Sequence, residues 1–333
     1  MQPQWSWEEM LEAFRALGGT AENIHLEEAE GGLSPRDPER PVVLHVPENL
    51  LLPLEALEFA EGSLRLKETG DVSQAARGFF ECYERAFGPV ILAHAAAAIA
   101  ALDSLPAQVK EVLSGYFGMR EFFEDNRAPR IESRFIESRA ISRGEQWVVA
   151  PVLELARDDP KGLAIEHDRG TRIAGPACDG IRVFHPFHDA LAIFQRFGFA
   201  AGQPAAFSLP MSFATDGIEI SIGRNLHLGE RRGEVIVPQL NVVARDNLAL
   251  SHMMMGHSRF PRLARGIARA RMREANVMDP DGQFDRIAQE NSARLLKLLD
   301  VMEREEGQTI VTLRRMARYQ LEAMSWSIGT REI

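Results

Sequence analysis

The sequence predicts an α+β protein with a β-rich core, a helical insert at about residues 54–130 and a C-terminal all-helical domain. Three observations support this class. Short apolar runs bounded by glycine and proline occur on both sides of the insert. Within the insert, and again after residue 260, apolar residues recur at three- and four-residue intervals. A chain of 333 residues accommodates one large and one smaller domain, and we expect them at 1–245 and 246–333.

The first elements are a helix and a set of short strands. Apolar residues at helical spacing from Trp7 to Leu17 predict a helix that Gly18 and Gly19 end. Residues 23–26, 31–33 and 41–47 then predict short strands around a glycine turn.

The insert is predicted to contain four helices, at 54–64, 73–87, 89–103 and 107–116. Its longest apolar run, 89–102, is rich in alanine and contains His94. This run is shorter than a membrane span, so we expect a buried helix.

Strands are predicted again from about residue 146 to 184, and a helix at 190–196 follows them. Further strands are expected at 206–213, 218–222 and 234–243. A helix is predicted at 263–275. Two apolar stripes separated by Gly307 then predict an antiparallel pair of helices that closes the chain.

Composition limits the possible environments and partners. The net charge of −10 argues against nucleic-acid binding, which needs lysine and arginine to replace counterions. The two cysteines, Cys82 and Cys178, form no disulfide framework and fit a reducing compartment. The N-terminus shows no signal-peptide pattern, so we expect a cytoplasmic protein without a membrane segment.

Several segments occur in an order that is found in one known family. They are Ser138-Arg139, the Val-Val-Ala-Pro run ending at Pro151, residues 181–185, and Phe197-Gly198-Phe199. Their order and spacing resemble SET-domain proteins related to the plant Rubisco large-subunit lysine methyltransferase. The likeness covers about residues 5–324. It implies S-adenosylmethionine (SAM) as cofactor, methyl transfer to a protein lysine, and docking of a protein on the C-terminal helices.

The resemblance assigns cofactor contacts to two places. Gly31, Gly32 and Leu33 match the glycine turn whose backbone lies against SAM, and a plain turn between strands is the alternative. Arg139 matches the arginine that binds the SAM carboxylate, for which a guanidinium is well shaped. The alternative for Arg139 is a surface ion pair with an acidic residue of its own segment, Glu132 or Glu137.

Two departures from the family pattern bear on activity. Arg157 and Asp158 replace the Asn-His pair that contacts SAM. They are interpreted either as a substitute ion pair, with Asp158 able to accept the SAM ammonium, or as an exposed polar loop. His185 replaces the catalytic tyrosine, and it either orients substrate or is a satisfied loop histidine.

Three functions therefore remain open: a divergent SAM-dependent lysine methyltransferase, a catalytically inactive protein-binding scaffold, and a repurposed enzyme. The third uses His185 and His188, with Asp189 as a further metal ligand; the remaining candidate ligands are His167 and Asp168.

Two other segments are considered for binding. His252 and His257 flank a methionine run that is typical of a core or an adaptable surface. Six arginines between Arg259 and Arg273 are interpreted either as a site for an acidic protein patch or nucleic acid, or as a solvated helix face.

Overall fold

The computed structural model describes residues 5–27, 32–68, 72–124, 126–143, 146–177, 180–184, 188–215, 217–232, 235–244 and 247–328. Helices and small sheets both contribute to the fold, which confirms the α+β class.

The helices of the described residues are numbered in chain order. They are α1 (Trp7–Ala16), α2 (Gln74–Asp103), α3 (Ala107–Tyr116), α4 (Arg127–Arg139), α5 (Ala190–Phe197), α6 (Pro261–Glu274), α7 (Pro280–Val301) and α8 (Gln308–Ile328).

The strands are numbered in the same way. They are β1 (Thr20–Glu22), β2 (Ile24–Glu27), β3 (Gly32–Pro35), β4 (Val42–Pro47), β5 (Leu52–Pro53), β6 (Leu57–Ala60), β7 (Ser63–Leu66), β8 (Ala140–Arg143), β9 (Gln146–Val149), β10 (Arg157–Ala164), β11 (Gly170–Gly175), β12 (Arg182–Phe184), β13 (Ala205–Phe207), β14 (Met211–Thr215), β15 (Ile218–Ile222), β16 (Glu230–Arg232), β17 (Val235–Val237), β18 (Leu240–Ala244), β19 (Asn247–Leu250) and β20 (Met254–His257).

The chain divides into two compact units, each made from two stretches of sequence. Unit 1 contains residues 1–99 and 126–185, and unit 2 contains residues 100–125 and 186–333. The predicted domains met at residue 245, whereas these units place strands β13–β20 together with helices α6–α8. Strands β19 and β20 lie on the C-terminal side of the predicted boundary.

Unit 1 has small sheets around one apolar core. Strand β4 lies between β1 and β11 and is antiparallel to both. Its residues are alternately buried and partly exposed, the pattern of a strand with one face on the core. Helix α1 begins with a capping box, in which Ser6 and Glu9 satisfy each other's backbone N–H groups, and it buries Met10, Leu11 and Phe14.

Unit 2 packs helices on short strands. Strands β14, β15, β19 and β18 form a four-stranded sheet in that order, with β15 and β19 parallel. Helices α6 and α8 pack against β20, α7 packs against α8, and α3 packs against α7. The closing pair of helices predicted from the sequence is therefore present, and Arg314 of α8 donates hydrogen bonds to carbonyls of the residues that follow α7, including Glu303 O at 3.0 Å.

The helix predicted at 54–64 is wrong, because residues 57–66 form the antiparallel hairpin β6–β7. Glu61 and Gly62 at its turn both have positive φ, 52° and 80°, as a type I′ turn requires. Leu64 and Leu66 are buried and Arg65 is exposed, which is a strand pattern. The stretch is too short to distinguish this period from a helical one.

The helices predicted at 73–87 and 89–103 form one helix, α2, which continues through Pro89. A proline removes one backbone hydrogen bond but does not always end a helix. Residues 89–102 are helical as expected, but the expectation that this run is buried is wrong, because only Ala95, Ile99 and Leu102 of the run are buried. Helix α4 was not predicted.

Candidate functional site

The predicted cofactor-binding residues that the structure describes all lie in unit 1. Gly32 and Leu33 begin β3, which pairs with β2. The backbone N–H of Ile181 donates to Leu33 O at 2.7 Å, and the N–H of Arg157 donates to Ile181 O at 3.1 Å. The structure therefore brings the glycine turn and Arg157 together through one residue of the segment that precedes β12.

The side chain of Arg157 covers Gly32. A Cβ atom placed on Gly32 would lie 2.6 Å from Nε and 3.0 Å from Nη2 of Arg157, so a larger residue at this position would displace the guanidinium. Arg157 also forms an ion pair with Glu27 at 3.4 Å, and their side chains are 38% and 36% exposed. A pair this exposed contributes less than about 1 kcal/mol. The space beside the glycine backbone is thus filled by the protein itself.

Arg139 lies in a closed cluster of charges. Its Nε and Nη2 donate to Oε2 and Oε1 of Glu154 at 2.9 and 2.8 Å, which is a bidentate pair. Its Nη1 lies 2.6 Å from Oε2 of Glu84. None of the three side chains is more than 3% exposed. The guanidinium also lies 4.9 Å from the ring centroid of Phe135, so protein groups occupy its surroundings.

The elements that hold this cluster are α2, α4 and the turn after β9. Arg139 is the last residue of α4, and Glu154 lies in a 3₁₀ turn at Leu153–Leu155. Glu84 lies on the buried face of α2, and its Oε1 accepts the backbone N–H of Leu64 at 2.8 Å. Arg139 therefore joins two segments that are otherwise far apart in sequence.

The acid–base properties of the cluster follow from its burial. Burial raises the pKa of Glu84 above its usual value, although the Arg139 charge opposes this. Tyr83 is fully buried next to it, and burial together with the Glu154 carboxylate raises the pKa of its phenol well above 10. Two carboxylates face one guanidinium, which leaves an excess negative charge. Because its pKa is raised, Glu84 takes up a proton more readily, and this proton removes the excess charge.

The predicted surface ion pair of Arg139 with Glu132 or Glu137 is wrong, because Arg139 is 1% exposed and its partners are Glu84 and Glu154. Sequence reasoning missed Tyr83 and Glu84. One signal was present: Glu84 follows directly on the apolar stripe of α2, where a charged residue implies a buried partner.

Three predicted residues are beyond what the structure describes. Gly31 and His185 lie outside the described residues, and so does the side chain of Asp158, whose backbone belongs to β10. Where contacts are described, the donor set does not fit SAM as the resemblance arranges it. The Arg139 guanidinium already binds two carboxylates, and the Arg157 side chain occupies the space beside the Gly32 backbone.

The metal interpretation of Asp189 is wrong, because this carboxylate is buried and used within unit 2. It caps α5 by accepting the N–H of Ala192 at 2.8 Å, and it pairs with Nη2 of Arg224 at 2.7 Å. It also accepts from Gln320 Nε2 at 2.6 Å and from the N–H of Phe207 at 3.0 Å.

Burial by itself raises the pKa of Asp189, but the Arg224 charge and these hydrogen bonds outweigh it and hold the pKa below 3.8. Among the described residues, no group of three or more His, Cys, Asp or Glu side chains is arranged to hold a metal ion.

The histidines beside the methionine run belong to the core of unit 2. Met253, Met254 and Met255 are all buried, which confirms the core interpretation. His252 is fully buried between Ser251 Oγ at 3.0 Å and the Ile236 carbonyl at 3.2 Å. Burial lowers its pKa below 6.5, so the neutral ring is favoured.

The Ala-rich part of α2 is the one described segment that is long and apolar enough to cross a membrane by length and composition. In its most apolar window, 22% of the residues are buried. Val90 is 48% exposed, and Ala93 and Ala97 are also exposed. His94 is exposed among them, so the exposed face of this part of α2 is apolar apart from one histidine.

Comparison with known proteins gives no match. No family model matches the chain, and no curated protein or solved structure is significantly similar to it.

Proposed function

We propose that this protein is a SET-like scaffold that binds a protein partner and does not use SAM. The proposal takes the β-rich part of the chain as the SET-like core and the C-terminal helices as the docking side. The single observation that carries it is the closure of the Arg139 guanidinium by Glu84 and Glu154.

Closure of Arg139 bears on cofactor binding for an energetic reason. An incoming carboxylate has to displace one of two buried carboxylates, and a buried charge left without its partner costs about 3–5 kcal/mol. A SAM carboxylate gains a similar pair in exchange, so the net gain available for binding is small. The substitution of the family tyrosine by His185 and of the Asn-His pair by Arg157-Asp158 is consistent with the same function.

The second candidate, a divergent lysine methyltransferase, is favoured by one observation. Gly32, Leu33 and Arg157 come from segments that the resemblance assigns to one cofactor site, and they lie together. In that case Arg157 would have to leave the cradle at Gly32 before a cofactor could enter.

Calorimetric titration with SAM and its demethylated product separates the two candidates. We expect no saturable heat with the wild-type chain up to high micromolar cofactor, at two temperatures. Saturable heat with the wild type contradicts the scaffold function.

Arg157→Ala is the informative variant. We expect this variant to show no heat of SAM binding either, because the Arg139 guanidinium stays bound to Glu84 and Glu154. If it gains saturable binding, a cofactor cleft is preserved beneath Arg157, and the methyltransferase candidate replaces the scaffold. Arg182→Ala is the matched control, since Arg182 lies opposite Arg157 in the β10–β12 pair and is bound to Asp159 on the surface.

A further inference from the structure

Three large apolar side chains are exposed where α6 begins and α8 ends. Phe260 is 42% exposed, and Leu263 and Trp326 are each 37% exposed. Ser327 Oγ donates to Pro261 O at 2.8 Å, which holds the last turn of α8 against the first turn of α6. Phe260 adjoins Pro261 and Trp326 adjoins Ser327, so these side chains lie near this contact, and we call Phe260, Leu263 and Trp326 together the α6–α8 patch. Apolar side chains exposed as a group mark interaction sites more often than single ones do.

The α6–α8 patch contains one side chain that the core holds in place, and an open apolar surface lies beside it. The ring of Phe260 lies 5.0 Å from that of the buried His257, so its position is set by the core. No atom lies within 4 Å of a Cβ built on Gly266, and Ala270 is exposed one turn later. Helix α6 thus offers a shallow apolar surface beside Leu263, and little side-chain entropy is lost when it is covered.

Helices α6 and α8 carry more exposed arginines than exposed carboxylates, which are Glu274 and Glu322, although the chain as a whole is acidic. Arg265 and Arg269 are paired with Asp281, and Arg271 with Glu274. The exposed arginines of these helices without an ion-pair partner among the described residues are Arg262, Arg273, Arg315 and Arg318. Arg315 and Trp326 are eleven residues apart, about three helical turns, so they share one face of α8.

We propose that the α6–α8 patch binds an acidic protein segment that inserts one or two large apolar side chains. Apolar anchors supply the burial, and the surrounding arginines select for carboxylates and favour rapid encounter. A second copy of this chain is a poorer fit, since two molecules of net charge −10 repel each other. This inference rests on the proposed scaffold function and names its docking surface and partner chemistry.

The test uses the full chain and three fluorescein-labelled helical peptides of equal length. All three carry the same Leu/Phe stripe, and their polar faces carry glutamate, glutamine or lysine. By fluorescence anisotropy at physiological salt, we expect the glutamate peptide to bind at least about tenfold more tightly than the lysine peptide. Equal binding of the three peptides overturns the proposal.

Variants place the binding on the patch. Leu263→Asp and Trp326→Ala should each weaken glutamate-peptide binding about tenfold, and Arg318→Glu should reduce the preference for glutamate. Leu296→Asp is the matched control because Leu296 is 56% exposed on α7, away from the patch residues in sequence, and it should change binding less than about twofold. Patch variants that bind like the wild type, with unchanged circular dichroism, overturn the proposal.

Light scattering and an oligonucleotide complete the test. A concentration-dependent dimer that Leu263→Asp converts to monomer would identify a second copy as the occupant, and displacement of the peptide by a single-stranded oligonucleotide would identify nucleic acid. Either result overturns the proposal. If the peptides do not bind and titration with SAM gives no heat, only the proposed docking surface is refuted. If SAM gives saturable heat and the peptides bind, only the scaffold function is refuted.

Discussion

Replacing Arg139 by alanine tests the difference between a structural and a cofactor-binding arginine. A cofactor ligand can be removed without unfolding the protein, and the resemblance alone predicts that result. The structure predicts the opposite, because Arg139 neutralises Glu84 and Glu154 in a cluster that is closed to solvent.

The magnitude follows from the contacts that are lost. Removing one partner of a buried ion pair costs about 3–5 kcal/mol, and here both abandoned carboxylates stay buried. Domains are stable by only about 5–15 kcal/mol, so Arg139→Ala should remove about a fifth or more of the free energy of unfolding of unit 1. Arg139→Met retains most of the apolar stem and should lose nearly as much, which separates charge from packing.

The assay is urea unfolding followed by tryptophan fluorescence in a Trp326→Phe background. The remaining tryptophans, Trp5, Trp7 and Trp147, all belong to unit 1, so the signal reports that unit. Arg143→Ala is the matched control, because Arg143 makes a surface ion pair with Glu48 and should contribute less than about 1 kcal/mol.

A further variant tests the origin of the loss. Neutralising the whole cluster as Arg139→Met, Glu84→Gln, Glu154→Gln should recover much of the stability, because no uncompensated carboxylate then remains. The reasoning is refuted if Arg139→Ala shifts the free energy of unfolding no more than Arg143→Ala does. Arg139 would then be available to a ligand.

Two further predictions concern unit 2. Asp189→Asn should cost about 3–5 kcal/mol at neutral pH by leaving Arg224 unpaired. The pKa of Asp189 in the folded protein lies below 3.8, so its stabilisation is complete above that pH and is lost as the pH falls from 3.8 through the folded pKa. Asp189→Asn should remove this pH dependence of the free energy of unfolding, measured by urea titrations followed by circular dichroism. An unchanged pH dependence in the variant would contradict the pairing. Gly256→Ala should cost about 1–3 kcal/mol, since its Cβ would lie 2.0 Å from the Ala323 carbonyl oxygen, whereas the open helix position Gly266→Ala should stabilise by up to about 1 kcal/mol; thermal melts that rank the two variants the other way would refute this packing.

Periodic segments were predicted well from the sequence. Helices α5, α7 and α8 lie close to where their apolar spacing placed them, and α5 ends at Gly198, which has a φ of 82°. The predicted break within α2 and the predicted helix at 54–64 were wrong for local reasons. Pro89 is tolerated within a long helix, and the positive φ of Glu61 reverses a segment too short for its period to be decisive.

The candidate site was only partly predictable. The sequence order brought Gly32 and Arg157 into one hypothesis, and the structure places them in contact. The partners of Arg139 come from positions 84 and 154, and nothing local to Arg139 indicates either of them. Pairing between distant segments depends on tertiary packing, which spacing along one chain does not encode.

The interleaving of the two units has a consequence for synthesis on the ribosome. The chain starts in unit 1, supplies residues 100–125 to unit 2, returns to unit 1 until residue 185, and finishes unit 2 last. Helix α3 therefore emerges long before its partner α7 and has to wait for about 170 further residues, some ten to thirty seconds at usual elongation rates. No single cut of the gene separates the units, and a fragment of residues 186–333 lacks α3. A chaperone that shields nascent α3 is therefore expected to affect the yield of this protein more than its final stability.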